Sequence, residues 1–147
     1  DATVGGTVVV TPLNLSSAGG HTLVFPAVIS ASTIFWNNPT VADTAVIDYE
    51  LLMPNATQID LQATVNFLSL GGGMTPNQRS VAGGLNNVFS SGATLPFMQT
   101  LFELTSVTDM ANAMDQLAPS GAGAGNASML MSGSTFADQL LSCRTIG

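Results

Sequence analysis

The sequence predicts an α+β protein in which an N-terminal β-strand part is followed by a C-terminal all-helical part. Residues 59–67 alternate strictly between apolar and polar side chains, which is the period of a strand with one buried face. After residue 74 apolar residues recur at three- and four-residue intervals, the period of one helical face. The glycine-rich stretch 71–74 separates the two patterns, so we expect a strand region (1–70), a hinge (71–74) and a helical cap (75–147).

The strand region opens with three stretches that are rich in β-branched or aromatic residues and bounded by Gly, Pro or polar residues: 6–13, 21–29 and 32–36. Pro12 and Pro26 cannot donate a ladder hydrogen bond, so we expect both at strand ends, edges or bends. The third stretch ends at Trp36, which we predict to be a core residue. A polar turn is predicted directly after it, at residues 37–39.

Two further strands, 47–51 and 59–67, are predicted to form a hairpin through a turn at 53–56. Their alternation assigns one face to the core and the other to solvent. The residues expected to be buried are Ile47, Tyr49, Leu51, Ile59, Leu61, Val65 and Phe67. The residues expected to be exposed are Asp48, Glu50, Asp60 and Gln62.

The first predicted helix spans 75–90 and begins with a complete set of start signals. Thr75 suits the N-cap, Pro76 the first turn, and Gln78 the second position of a capping box. A second helix is predicted at 95–104, with Pro96 in its first turn, and a third from Thr105 or Ser106. The apolar face of the third consists of Val107, Met110, Met114 and Leu117.

A last helix is predicted over about 126–144, after the glycine-rich approach "APSGAGAGNAS". Its large apolar residues need cover, and we expect them to pack on the preceding helices or on a neighbouring subunit. The residues predicted to form the cap or to make its contacts are Thr75, Pro76, Gln78, Val81, Leu85, Phe89, Leu101, Phe102, Phe136, Leu140 and Leu141.

Four stretches carry a resemblance to a known family: "IDLQATVNF" at 59–67, "TPNQRSVAGGLNN" at 75–87, "LPFMQTLFELTSVTDMANAMDQLAPS" at 95–120 and "TFADQLLSCR" at 135–144. In this order they resemble the passenger-to-barrel junction of bacterial autotransporters, which export a surface domain through their own C-terminal β-barrel. The resemblance extends from about residue 23 to the end. The chain departs from the family pattern at "LAPS" (117–120), and it stops at Gly147, where the barrel strands of the family begin.

The resemblance implies that the strands are the last turns of a right-handed β-solenoid and that the helices lead into the barrel. It implies a non-catalytic structural segment at the bacterial outer membrane, on the cell surface or outside the cell. Its partners would be its own upstream passenger and its downstream barrel. In this family a partner for Cys143 can lie further along the chain.

A second function class is compatible with the same residues. The open edge of a stacked strand array invites pairing with another chain. The alternative is therefore a self-assembling surface or extracellular protein that forms homo-oligomers or filaments through strand edges and apolar helices.

Composition excludes several classes of partner. Only 7% of the residues are charged, against roughly 25% in an average protein. Lysine is absent, Arg79 and Arg144 are the only basic residues besides one histidine, and the net charge is −7. We therefore expect no binding to nucleic acid or to an anionic membrane surface. No stretch approaches the ~20 apolar residues of a spanning helix, and the start at Asp1 suggests a fragment or a processed product.

The sequence offers little to an enzyme. His21 is the only histidine and Cys143 the only cysteine, and neither has a neighbour in sequence that would complete a catalytic set. Asp48 and Glu50 are typical of solvated carboxylates on one strand face. We find no zinc or calcium spacing, and no lysine accompanies the glycine runs. We therefore expect neither catalysis nor a cofactor nor a metal.

Overall fold

The computed structural model describes residues 1–17, 19–93 and 95–118. Five strands are followed by three α-helices, which confirms the α+β arrangement with an N-terminal β part. The strands are β1 (Ala2–Val9), β2 (Thr22–Ser30), β3 (Ile34–Ala42), β4 (Ile47–Asn55) and β5 (Gln58–Val65). After a short 3-10 turn at Gly71–Gly73 come α1 (Pro76–Ser90), α2 (Met98–Glu103) and α3 (Val107–Leu117). The predicted last helix, with Phe136, Leu140, Leu141 and Cys143, lies outside the described residues.

The strands form two sheets. β2, β5 and β4 make a three-stranded antiparallel sheet with β5 in the centre, and β1 and β3 pair in parallel as a second sheet. Every second residue of β5 is buried, from Ile59 to Val65. An antiparallel sheet of this kind packs one face on a core and turns the other towards solvent.

The burial of the hairpin strands follows the predicted alternation. Six of the seven predicted core residues are buried, and Leu51 is half-buried. On the other face Asp48 and Glu50 are exposed, whereas Asp60 and Gln62 are half-buried. Asp60 is half-buried because the irregular part of the neighbouring strand β2 lies next to it. There the backbone N–H of Ala27 donates to its Oδ1 (2.8 Å).

Two predicted turns prove to be parts of strands. Residues 37–39 lie inside β3, where Asn38 adopts a left-handed φ of 44° and bends the strand without ending it. Met53 and Pro54 lie inside β4, and the hairpin turn falls at residues 56–57. That turn is stabilised by the Asn55 side chain, whose Oδ1 accepts from the N–H (2.9 Å) and hydroxyl (2.7 Å) of Thr57. Turn-favouring residues therefore serve as bends and as turn supports here.

The prediction of a core role for Trp36 is wrong, because its side chain remains 38% exposed. The two-stranded sheet contributes only Val4 and Ile34 to a small buried cluster with Ile59 of β5, and Ile34 takes the core position of β3. In α3, Val107 is also exposed, since it is the first helical residue and Met110 and Met114 make the buried contacts. In the second helix Pro96 precedes the first turn, which begins at Met98.

The larger of the two hydrophobic clusters in the described residues runs through both parts of the chain. The buried face of the antiparallel sheet and the apolar faces of the three helices meet in one cluster. Met74, at the end of the glycine-rich stretch, is itself buried in this cluster. The hinge therefore joins two layers of one core.

Candidate functional site

The junction between sheet and helices is fixed by the capping box at the start of α1. Thr75 has extended backbone angles, and its Oγ1 accepts a hydrogen bond from the Gln78 N–H at 3.2 Å. The Thr75 N–H donates in return to Oε1 of Gln78 at 2.9 Å. Pro76 occupies the first position of α1, where a missing N–H costs nothing. These residues set the point at which the chain changes from strand to helix.

Gln78 has a second role that the sequence did not reveal. Its Nε2 donates to Oδ2 of Asp115 at 2.9 Å and to the carbonyl oxygen of Ala111 at 3.4 Å, both on α3. The side chain is only 6% exposed, so its polar ends are satisfied by the protein. The signal in the sequence is the choice of Gln over Glu at this capping-box position, because only the amide can donate to a second helix.

Three aromatic rings join the helices to the end of the β-sheet. Phe102 of α2 lies 5.9 Å from Phe67, which follows β5, and 5.7 Å from Phe89 of α1, measured between ring centroids. The second pair meets edge to face, an arrangement that aromatic quadrupoles favour. The remaining predicted cap residues, Val81, Leu85 and Leu101, are buried in the same cluster.

A polar contact not foreseen from the sequence fastens the end of β5 to α1. Oδ1 of Asn86 accepts from the backbone N–H of Phe67 at 2.8 Å, and its Nδ2 donates to Oδ1 of Asn66 at 3.1 Å. The Phe67 N–H would otherwise be a buried donor at a strand end. The contact therefore holds the chain in place just before the glycine-rich hinge.

The helices also hold the segment that follows β1. The Gln99 side chain donates to the carbonyl oxygen of Pro12 and accepts from the N–H of Asn14 (3.0 Å). The Ala45 N–H donates to the carbonyl oxygen of Leu104 at 2.8 Å. The cap thus contacts several separate parts of the strand region.

The two sheets differ in how their outer strands are protected. β2 carries Pro26 within the strand and a left-handed Ala27 (φ 55°) beside it, and both features hinder the addition of another strand. β1 pairs only with β3 among the described residues. Large apolar side chains near this sheet remain in solvent, with Val9 76% and Phe35 56% exposed.

The described residues hold no group of three or more metal-ligand side chains. His21 lies at an exposed bend before β2, and Asp48 and Glu50 lie on the solvent face of β4. A cavity of about 460 Å³ lies between residues 14–16 and the start of α2, and no titratable side chain of the described residues lines it. These positions bring no acid, base and nucleophile together.

Among the described residues, two groups have pKa values displaced by their surroundings. Burial, and secondarily the negative charge of Asp43, raises the pKa of Tyr49, so the phenol stays neutral. A hydrogen bond from the Gln58 side chain, and then one from the Ala27 N–H, lowers the pKa of the Asp60 carboxyl. Both displacements have structural causes, a core position for Tyr49 and a strand bend for Asp60.

In the part of the chain that the structure describes, no helix has both the length and the apolar character needed to cross a membrane.

No protein-family model matches the chain, and neither the curated proteins nor the solved structures give a significant match.

Proposed function

We propose that this chain is a non-catalytic structural segment of an autotransporter-like protein of the bacterial outer membrane or cell surface. It closes a β-solenoid with a helical cap and links that solenoid to a translocator barrel. The sequence resemblance suggests this role. The observation that supports it most is the parallel pairing of β1 with β3.

The pairing has the form expected of two successive turns of a solenoid. Ala2 pairs with Ile34 and Val9 with Ala42, so paired residues are separated by 32 or 33 positions of sequence. Parallel sheets are normally larger and covered on both faces, and an isolated two-stranded ribbon is only marginally stable. In a solenoid each turn rests on its neighbours, which removes this difficulty.

The helices have the position that a cap requires. They follow β5 after the glycine-rich hinge, pack on the buried face of the antiparallel sheet, and bury Phe67 together with Phe89 and Phe102. A solenoid end left open would offer unpaired strand edges and apolar side chains to other molecules. The hydrogen bond between Asn86 and the Phe67 N–H fastens the cap to the end of β5. The hydrogen bond from Gln78 to Asp115 holds α1 against α3 within the cap.

The complete reading frame and a secretion assay test this function. We expect about twelve segments of alternating hydrophobicity, each of roughly 9–11 residues, after Gly147. In cells that produce the whole protein, the folded passenger should appear on the cell surface and resist limited digestion by external protease. Removing 75–118 should make the exported passenger protease-sensitive because its solenoid is no longer closed. A reading frame without such strands would contradict the proposal.

The exposed apolar side chains near the parallel sheet favour one alternative, self-assembly into homo-oligomers or filaments. The evidence for it is the exposure of Val9, Phe35 and Trp36. Light scattering across a range of concentrations separates the two functions. A mass that stays at 15.0 kDa argues against assembly, whereas growth with concentration supports it.

A further inference from the structure

The two strands of the parallel sheet bend at the same level. In β1 the residue at the bend is Gly6, with φ 78°, and in β3 it is Asn38, with φ 44°. The register brackets both bends, because Gly5 pairs with Asn37 before them and Thr7 with Thr40 after them. Each strand thus has a left-handed residue within the same interruption of the ladder.

Alignment of the bends has a physical reason. A left-handed backbone is strained for an ordinary L-residue, because its Cβ comes too close to the following carbonyl oxygen, and Gly and Asn are the residues that adopt it most readily. If one parallel strand turned and its neighbour did not, the hydrogen bonds beyond the bend would be lost. A strand that joins this sheet must therefore bend where its neighbour bends.

The contact at the bend is also close. A side chain at Gly5 would place its Cβ 3.0 Å from the carbonyl oxygen of Asn37 and 3.1 Å from its Nδ2. Gly5 thus accommodates the asparagine of the next strand. A Cβ at Gly6, in contrast, would meet no atom within 4 Å, so the requirement at Gly6 concerns the backbone angle alone.

The other edge of β1 has hydrogen-bonding groups to offer. The Ala2 N–H donates to the carbonyl oxygen of Thr33 at 2.9 Å, towards β3. Alternation along the strand then directs the N–H groups of Thr3 and Gly5 to the opposite edge.

We infer that this edge binds a parallel strand from the same polypeptide, N-terminal to Asp1, whose bend residue is Gly, Asn or Asp at the level of Gly6. The 32- to 33-residue spacing between β1 and β3 places that bend residue the same distance before Gly6. The inference rests on the proposed function and adds a sequence rule for the partner. The upstream strand would extend the β1–β3 sheet by one more parallel strand.

Hydrogen exchange on the full-length protein tests the inference. The amides of Thr3 and Gly5 should exchange slowly there. Gly6→Val should accelerate both by at least about tenfold, because Val resists the left-handed angle, and Gly6→Asn should change them less than about threefold. Valine at the upstream bend position, 32 or 33 residues before Gly6, should have the same effect as Gly6→Val.

The Phe67 amide, held by Asn86 in the cap, reports in every variant whether the fold persists. If Gly6→Val unfolds the protein, the upstream variant still decides the matter. Fast exchange of the Thr3 and Gly5 amides in the unmodified protein would show that no strand binds this edge. Unchanged slow exchange with valine at both bend positions would show that the sequence rule is wrong. The proposed function fails by a different result, the absence of barrel strands after Gly147.

Discussion

The side-chain nitrogen of Gln78 donates a 2.9 Å hydrogen bond to Oδ2 of Asp115, joining the first turn of α1 to the last turn of α3. The oxygen of the same amide completes the capping box with Thr75. One buried side chain therefore fixes both where α1 begins and where α3 lies against it. This arrangement makes the amide, and not merely an acceptor, necessary at position 78.

Gln78→Glu should lower the free energy of unfolding by about 1–3 kcal/mol. A glutamate still accepts from the Thr75 N–H, so the capping box survives. The donor towards α3 is lost, however, and two carboxylates then face each other at the position of the present hydrogen bond. Urea unfolding followed by circular dichroism measures the difference.

Asp115→Asn is the matched control for that variant. Alone it should change stability by no more than about 0.5 kcal/mol, because the asparagine side chain still accepts from Gln78 and the site is exposed. In the Gln78→Glu background it should restore much of the loss, since its amide can donate to the new carboxylate. If the double variant is as unstable as Gln78→Glu alone, the bond between the helices is not the cause.

Phe102→Ala should destabilise the whole described core by about 3–5 kcal/mol, because the ring is 1% exposed and touches both Phe67 and Phe89. Strand and helix signals should be lost in one transition, since both parts share that core. Phe35→Ala, the same substitution at a 56% exposed ring, should stay within about 0.5 kcal/mol. Two separate transitions in the unmodified protein would contradict the shared core.

Local patterns predict the elements of this fold, whereas they do not predict the pairing of distant strands. The alternation from Ile59 to Phe67 and the Thr75–Gln78 capping box are written in neighbouring residues, and both are present. The parallel pairing of β1 with β3 joins residues 32 or 33 positions apart, which no local period encodes.

The incorrect predictions for the two turns and for Trp36 are based on the properties of single residues, without the packing around them. Asn38 and Pro54 carry turn propensity, which does not distinguish a chain that reverses from one that only bends, so it predicts a turn where the strand continues. The size of Trp36 favours a core position, but the two-stranded sheet has too small a buried face to cover it. Among the cap residues, local spacing predicts only half of the bonds of Gln78, because its partner Asp115 lies 37 positions away.

Ala27→Gly should raise stability by about 0.5–1 kcal/mol. Ala27 has a φ of 55°, which costs an L-residue roughly 1–2 kcal/mol, and glycine removes this strain. The greater freedom of glycine in the unfolded chain offsets about 0.5–1 kcal/mol of that gain. Ala82→Gly, the same substitution in the buried interior of α1, should instead cost at least about 1 kcal/mol. Thermal unfolding should show a higher melting temperature for Ala27→Gly and a lower one for Ala82→Gly. A lower melting temperature for Ala27→Gly would contradict the strain at Ala27.

Asp60 should make stability depend on pH on the acid side. Hydrogen bonds from Gln58 and from the Ala27 N–H lower its pKa in the folded state below the ordinary value of 3.8. Its contribution is therefore fully present above the unfolded-state pKa and is lost as the pH falls through the folded-state pKa. Asp60→Asn should therefore weaken the dependence of the free energy of unfolding on pH in the acid range, from the ordinary carboxyl pKa downwards.

A second variant separates the two hydrogen bonds of Asp60. Gln58→Ala removes the larger influence, so the pKa of Asp60 should move back towards its ordinary value, and an NMR titration of the carboxyl carbon records it. An unchanged pKa would mean that the hydrogen bond from the Ala27 N–H alone lowers the pKa of Asp60.

Truncation after Met74 should leave a strand region that cannot remain folded and monomeric. The cut removes all three helices and uncovers the sheet face that carries Ile47, Val65 and Phe67, each no more than 1% exposed in the intact chain. Exposing a large apolar side chain costs about 1.5–3 kcal/mol, so uncovering these three costs an amount comparable with the whole stability of an ordinary small domain. We expect fragment 1–74 to elute as aggregates in size-exclusion chromatography, to bind a hydrophobic dye and to show no cooperative melting. The intact chain, with the same strands beneath their helices, is the control. A soluble 1–74 monomer with a sharp thermal transition would show that the strands need no cap.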